Sequence, residues 1–196
     1  MTSHDDLLNL LLEAATLKRV PRTGWGMRGV PHVESVAEHS FGVAFVALAL
    51  TDLLEEPLDR EKVLIMALLH DLAEVRLTDL PISAVRLLPA EIKSRAEAEA
   101  LADLLAPLPG GERLRALWQE FEDRTSPEGR LVRDADKLEM MIQCLRYEQA
   151  GSRGLDEFWA ALDRREWHYP LCAALYARLR AMRPGLGDAT VSGASP

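Results

Sequence analysis

Two stretches of this chain read as helices that are apolar on almost every side. They are FGVAFVALALTDLL, within residues 35–54, and VLIMALLHDLA, within residues 59–73. A helix without a polar face has nothing to offer water and belongs in the middle of a bundle. Each stretch nevertheless carries polar residues where burial is costly. His39 lies one turn into the first, and His70-Asp71 lies near the C-terminal end of the second. A buried carboxylate costs free energy unless something compensates its charge, and a metal ion would do so. Successive helix positions differ by about 100° in direction, so His70 and Asp71 both reach one point beside their helix.

The rest of the chain supports an all-α, single-domain bundle. Helical periodicity dominates and no segment reads as a strand. The expected helices are 4–18, capped by Ser3, then 35–54, 59–73, 89–106, 112–123, 127–149, 155–164 and 170–182. Ser35-Val36-Ala37-Glu38 has the capping-box spacing, and Ser126-Pro127-Glu128 is a strong helix start. Helix 89–106 is Ala/Glu-rich and reads as exposed. Residues 20–34, VPRTGWGMRGVPHVE, hold two prolines and three glycines, which argue against any helix there; Arg76–Pro81 also reads as a loop. The domain is expected over residues 1–183, and the small-residue tail 184–196 is expected to be disordered.

Composition narrows the function classes. The 196 residues are 48% hydrophobic and 28% charged, with a formal net charge of -8. That is enough apolar material for a core, and an acidic balance disfavours a nucleic-acid partner. The N-terminus is acidic ahead of its apolar residues, the reverse of a signal peptide, and charges break every apolar run before membrane-span length. Cys144 and Cys172 show no paired spacing. A cytoplasmic protein with no membrane partner is expected.

Two ligands do not hold an ion. A fourth residue, Asp136, stands in RDADK before the apolar run LEMMIQCL. Taken singly, each has an ordinary reading: a lone histidine in an apolar helix is more often a hydrogen-bonded core residue. Together, His39, His70, Asp71 and Asp136 offer two imidazoles and two carboxylates from three helices. That set suits one divalent ion with positions left open, and manganese, cobalt, iron, nickel, zinc and magnesium all fit it.

The order His…His-Asp…Asp resembles the signature of the HD-domain metal-dependent phosphohydrolases. The segments LKRVPRTGWGMRGVPHVESVAEHS, MALLHDLAEVRLTDLP and RDADKLEMMIQC are similar to the branch containing the bacterial 5'-deoxynucleotidases and their eukaryotic relatives. The resemblance implies an HD-domain helical bundle, a homodimer, one divalent ion on the four residues above, and removal of the 5'-phosphate from deoxynucleoside monophosphates. Two alternatives stand beside it: hydrolysis of another nucleotide, such as a deoxynucleoside triphosphate or a signalling nucleotide, and a nucleotide-binding module with a structural metal. Val75 directly after Glu74, where the alarmone hydrolases carry a second acid, argues against that subclass.

Further site residues follow. Glu74 lies four residues after His70 and three after Asp71, on the same helix face, and suits proton transfer from an attacking water. Asp79, in Thr78-Asp79-Leu80-Pro81, matches a family acid near the leaving oxygen; turn chemistry explains it equally well. Thr78 stands where the family often has glycine. Arg19 matches a family arginine placed at the substrate phosphate, although the aromatic that bacterial members carry next is here Val20. Trp25 offers a stacking face for a base, or else anchors the loop in the core. Arg22 and Arg28 read as solvated, and Glu38 as a capping residue.

Overall fold

Residues 2–184 are described in a computed structural model of the chain; from residue 185 on, the tail expected to be disordered lies outside the described residues. The elements in order are α1 (His4–Ala14), a 3₁₀ turn (Ala15–Arg19), α2 (Thr23–Gly26), α3 (Val36–Thr51), α4 (Arg60–Leu69), α5 (Glu74–Leu77), α6 (Ile82–Val85), α7 (Ala90–Leu105), α8 (Gly111–Asp123), α9 (Pro127–Gln149), α10 (Asp156–Leu162) and α11 (Pro170–Ala181). The all-α expectation holds: among the described residues the extended pairing is an isolated bridge between Pro21 and Ser35.

The two apolar helices, α3 and α4, pack with α9 at the centre. Val43, Ala47 and Leu50 of α3 meet Val63, Met66 and Ala67 of α4 and Leu131, Ala135, Leu138 and Met141 of α9 in the main core. Local chemistry starts these helices where the sequence places them. Ser35 and Glu38 form a full capping box on α3, Asp59 accepts from the Lys62 amide, and Ser126 accepts from the Gly129 amide with Pro127 at the first position of α9.

Four expectations need correction. The helix from residue 59 stops at Leu69, and Leu72, Glu74, Val75 and Arg76 bond three residues back instead of four. A tightened turn of that kind eclipses positions three apart, which sets Asp71 and Glu74 on one side. The Arg76–Pro81 loop begins inside α5 and leads into α6, an element that periodicity does not signal in so short a piece. Residues 20–34 contain the single turn α2, stabilised from outside: the Arg22 amide donates to the Glu34 carbonyl at 2.9 Å and the Val36 amide to the Val20 carbonyl at 2.8 Å. Finally, α7 is not an exposed helix throughout. Its Leu101, Leu104 and Leu105 are buried, and a second core unites Leu101 and Leu105 with Leu69 and Trp118.

Candidate metal centre

His39 is held by the capped first turns of α3, His70 and Asp71 by the tightened turn after α4, and Asp136 by the middle of α9. The three helices bring donor atoms of His39, His70 and Asp136 within 4.8 Å of one another, with Asp71 beside both imidazoles. His39 Nε2 lies 3.4 Å from Asp136 Oδ1 and 3.7 Å from Asp71 Oδ2, and His70 Nε2 lies 3.2 Å from Asp71 Oδ2. The two Nε2 atoms are 3.4 Å apart. All four residues are buried or nearly so.

The other ring nitrogens explain why this arrangement suits a cation. His70 Nδ1 lies 2.7 Å from the Ala67 carbonyl oxygen, which only accepts, so Nδ1 carries a proton. His39 Nδ1 lies 2.5 Å from Glu139 Oε2. With both Nδ1 atoms donating, both Nε2 lone pairs aim into the same small volume, together with carboxylate oxygens. A shared cation satisfies all of them at once, and partners that orient metal-binding histidines in this way are the common pattern. The electrostatics agree. Burial and Arg22 oppose a proton on His39, yet the hydrogen bonds to Asp136 and Glu139 outweigh them and hold the imidazole up at about 9. Burial also works against the Asp71 and Asp136 charges, but His70 beside Asp71 and Lys137 beside Asp136 keep both carboxyls well below their usual range. The site draws positive charge from every available source.

The centre opens into a cavity of about 580 Å³ lined by Arg22, Glu74, Asp79, Lys93, Met140 and Phe158, among others. Glu74 is buried, and its Oε2 has no hydrogen-bond partner. Burial, then repulsion from Asp71 and Asp79, pushes its carboxyl up to about 9. Asp79 joins the same wall: Oδ2 accepts from the Thr23 amide at 2.5 Å, and the Arg22 guanidinium lies 3.4 Å from Oδ1. Asp79 therefore ties α2 to the site as well as facing the cavity.

The basic loop is arranged differently from expectation. Arg19 is exposed at the end of the 3₁₀ turn and does not line the cavity. Arg22, expected to be solvated, lies 3.1 Å from Asp71 Oδ2, and its charge is secured by Asp71 and Asp79 against the cost of burial. Trp25 is 2% exposed, donates its indole N–H to Glu34 at 2.8 Å and meets Tyr147 edge-on, so it anchors the loop while also bordering the cavity. Phe158 of α10 packs on Trp25 at 4.2 Å between centroids, and both residues border the cavity. Sequence reasoning passed over Glu139, although its position three residues after Asp136, on the same helix face, was a usable signal. Phe158 carried no such signal.

The family profile described as HD domain matches residues 14–165. A Danio rerio protein named 5'-deoxynucleotidase HDDC2 is 36% identical over 183 residues, covering 91% of this chain and 88% of its own length. The Homo sapiens protein of that name is 34% identical over 181 residues, covering 90% of this chain and 86% of its own. Among solved structures, a conserved hypothetical protein from Pyrococcus furiosus is similar at a TM-score of 0.76 and 42% identity, covering 89% of this chain and 98% of that one. Profile, relatives and helical architecture agree, and the chain belongs to the HD-domain family.

Proposed function

We propose that this protein is a metal-dependent phosphomonoesterase that removes the 5'-phosphate from deoxynucleoside monophosphates. The observation that carries the reading is the convergence of the two imidazole Nε2 atoms with Asp71 and Asp136 at the floor of a cavity holding a buried arginine. The relatives' names supply the substrate class. His39, His70, Asp71 and Asp136 would hold one divalent ion, which when bound supplies Lewis acidity at phosphorus and makes water a better nucleophile. Arg22 binds phosphate oxygens, for which a planar guanidinium suits better than an ammonium. Glu74 lines the cavity; burial and the neighbouring acids favour its proton in the metal-free protein, and the charge of a bound divalent ion would favour its ionised form, in which it accepts a proton from the attacking water as the new P–O bond forms. The bond to the 5' oxygen breaks, that oxygen takes up a proton from solvent water, and Glu74 returns the proton it accepted to solvent, so that one water is consumed in all. Asp79 holds Arg22 and α2 against the leaving side. Trp25, Phe158 and Met140 border the apolar wall against which the base rests.

The reading extends to a cytoplasmic homodimer without nucleic-acid or membrane partners. Among the described residues no helix is long and apolar enough to cross a membrane. The test is phosphate release from deoxy- and ribonucleoside mono- and triphosphates, with each divalent metal added in turn. Selective release from deoxynucleoside monophosphates is expected. Turnover of triphosphates alone would transfer the protein to another HD activity, and no turnover with any metal would leave a binding module. Asp71→Ala is expected to lose both bound metal, measured by elemental analysis, and phosphatase activity; full activity in that variant would overturn the ligand assignment.

A further inference from the structure

We propose that Gly42 sets the metal affinity of this centre by leaving the space through which Glu139 reaches and orients His39. The inference rests on the metal-centre reading above and deepens it. Gly42 lies three residues after His39, on the same side of α3, in the interior of a helix where glycine is a poor choice. Its φ is not positive, so backbone conformation does not call for glycine. Crowding does. A Cβ built there would stand 2.5 Å from Glu139 Oε1, 2.7 Å from its Cγ and 2.9 Å from its Cδ. Glu139 crosses from α9 over this bare patch of α3, and its Oε2 meets His39 Nδ1 at 2.5 Å.

That contact matters through the other side of the ring. Glu139 holds the Nδ1 proton in place, leaves the Nε2 lone pair facing His70 and Asp136, and makes the imidazole a stronger donor to a cation. The carboxylate is buried at 8% exposure beside a fully buried histidine, so the pair meets little competition from water. Glu139 is a positioning residue that acts through His39, and Gly42 is the condition for its placement. The atoms an added methyl would strike are the Glu139 carboxyl group and the Cγ that carries it, all side-chain atoms and none of them backbone. Gly42→Ala therefore pushes the carboxylate off the ring and leaves the helix backbone undisturbed.

This makes affinity and stability move in opposite directions, which a purely structural role cannot do. The experiment compares metal-free parent, Gly42→Ala, Glu139→Ala and the double variant, with Mn²⁺ and Co²⁺ affinity measured by chelator competition and thermal stability measured without metal. The metal-free melting temperature of Gly42→Ala is expected to equal or exceed the parent's, since alanine is the better helix former. Its metal affinity is expected to fall by roughly 10- to 100-fold, the usual loss when such a partner is removed. In the Glu139→Ala background, Gly42→Ala is expected to cost no further affinity. Parent-like affinity in Gly42→Ala, or an equal loss in both backgrounds, would overturn the inference and leave the centre itself intact. A parent protein that binds no divalent ion would overturn the centre and this inference with it. Glu139→Gln, of equal size, serves if the alanine variant does not fold, and parent-like affinity in it would also count against the proposal.

Discussion

Glu74 and Glu34 illustrate how burial prepares a carboxyl for different tasks. Glu74 faces the cavity with one oxygen unpartnered, and burial with the nearby acids favours its proton. With a bound divalent ion favouring the ionised form, Glu74 accepts the proton of the attacking water, and Glu74→Gln is expected to lower kcat by roughly 10²- to 10⁴-fold. Bound metal, measured in the same samples, should stay near the parent's level, because Glu74 is not among the converging ligands. Glu34 faces inward instead, accepting from the Trp25 indole, and burial followed by repulsion from Glu139 pushes its carboxyl from an ordinary 4.5 up to about 7. Between those values the folded metal-free protein holds a proton that the unfolded chain has released, so stability falls as pH rises through the window. The fall is at most roughly 3 kcal/mol. Melting temperatures of the metal-free protein from pH 4.5 to 7 should show a decline of this sign, to which the raised Glu74 carboxyl also contributes; Glu34→Gln should remove the Glu34 share, about half of it, and leave the rest.

At the scale of elements, the turn between α5 and α6 carries local strain. Thr78 has φ 61° and ψ 166°, a region that non-glycine residues avoid and β-branched ones especially. The strain positions Asp79 directly after it, against Thr23 and Arg22. Glycine, which the resembling family often carries here, adopts this conformation freely. Thr78 is exposed, so its side chain contributes little packing. Relief of about 1–3 kcal/mol of strain, offset by about 1 kcal/mol of added unfolded-state entropy, leaves Thr78→Gly more stable by about 1 kcal/mol. A rise of about 2–4 °C in melting temperature is the expected outcome for a chain of this size. An unchanged or lower value would mean that the turn is not strained in solution. The capped starts of α3, α4 and α9 stand in contrast, since each is satisfied by side chains within three residues of the cap.

At the scale of the whole molecule, the core leaves a substantial apolar surface outside itself. Phe41 and Phe45 on α3 are 74% and 64% exposed. Phe45 also borders an apolar cleft with Ile142 of α9 and Leu175 and Met182 at the α11 end. Contiguous apolar surface of this kind marks interaction sites in soluble proteins. A second copy of the chain is the partner that the proposed homodimer would place there. Sedimentation of the parent protein is expected to give a dimer, and Phe45→Glu is expected to shift it to monomer with its melting transition retained. A variant that remains dimeric would move the interface elsewhere, such as to the exposed Leu8, Leu11 and Leu12 of α1.

The sequence by itself determined the all-α class, most helix starts and the side chains of His39, His70 and Asp136 that the helices bring together. These depend on periodicity and caps written within a few neighbouring residues, and on residue types too costly to bury without a purpose. Only the tertiary structure decided which side chains of the glycine-rich loop reach the site. Arg19, Arg22 and Trp25 are near neighbours in sequence, yet Arg22 enters the centre because its partners, Asp71 and Asp79, come from 49 and 57 residues away. Trp25 is packed in place by Glu34, Tyr147 and Phe158 at the border of the cavity. Glu139 acquired its role because α9 crosses α3 at the one helical position without a Cβ. Local pattern sets what each segment becomes, whereas long-range packing sets which of its side chains meet.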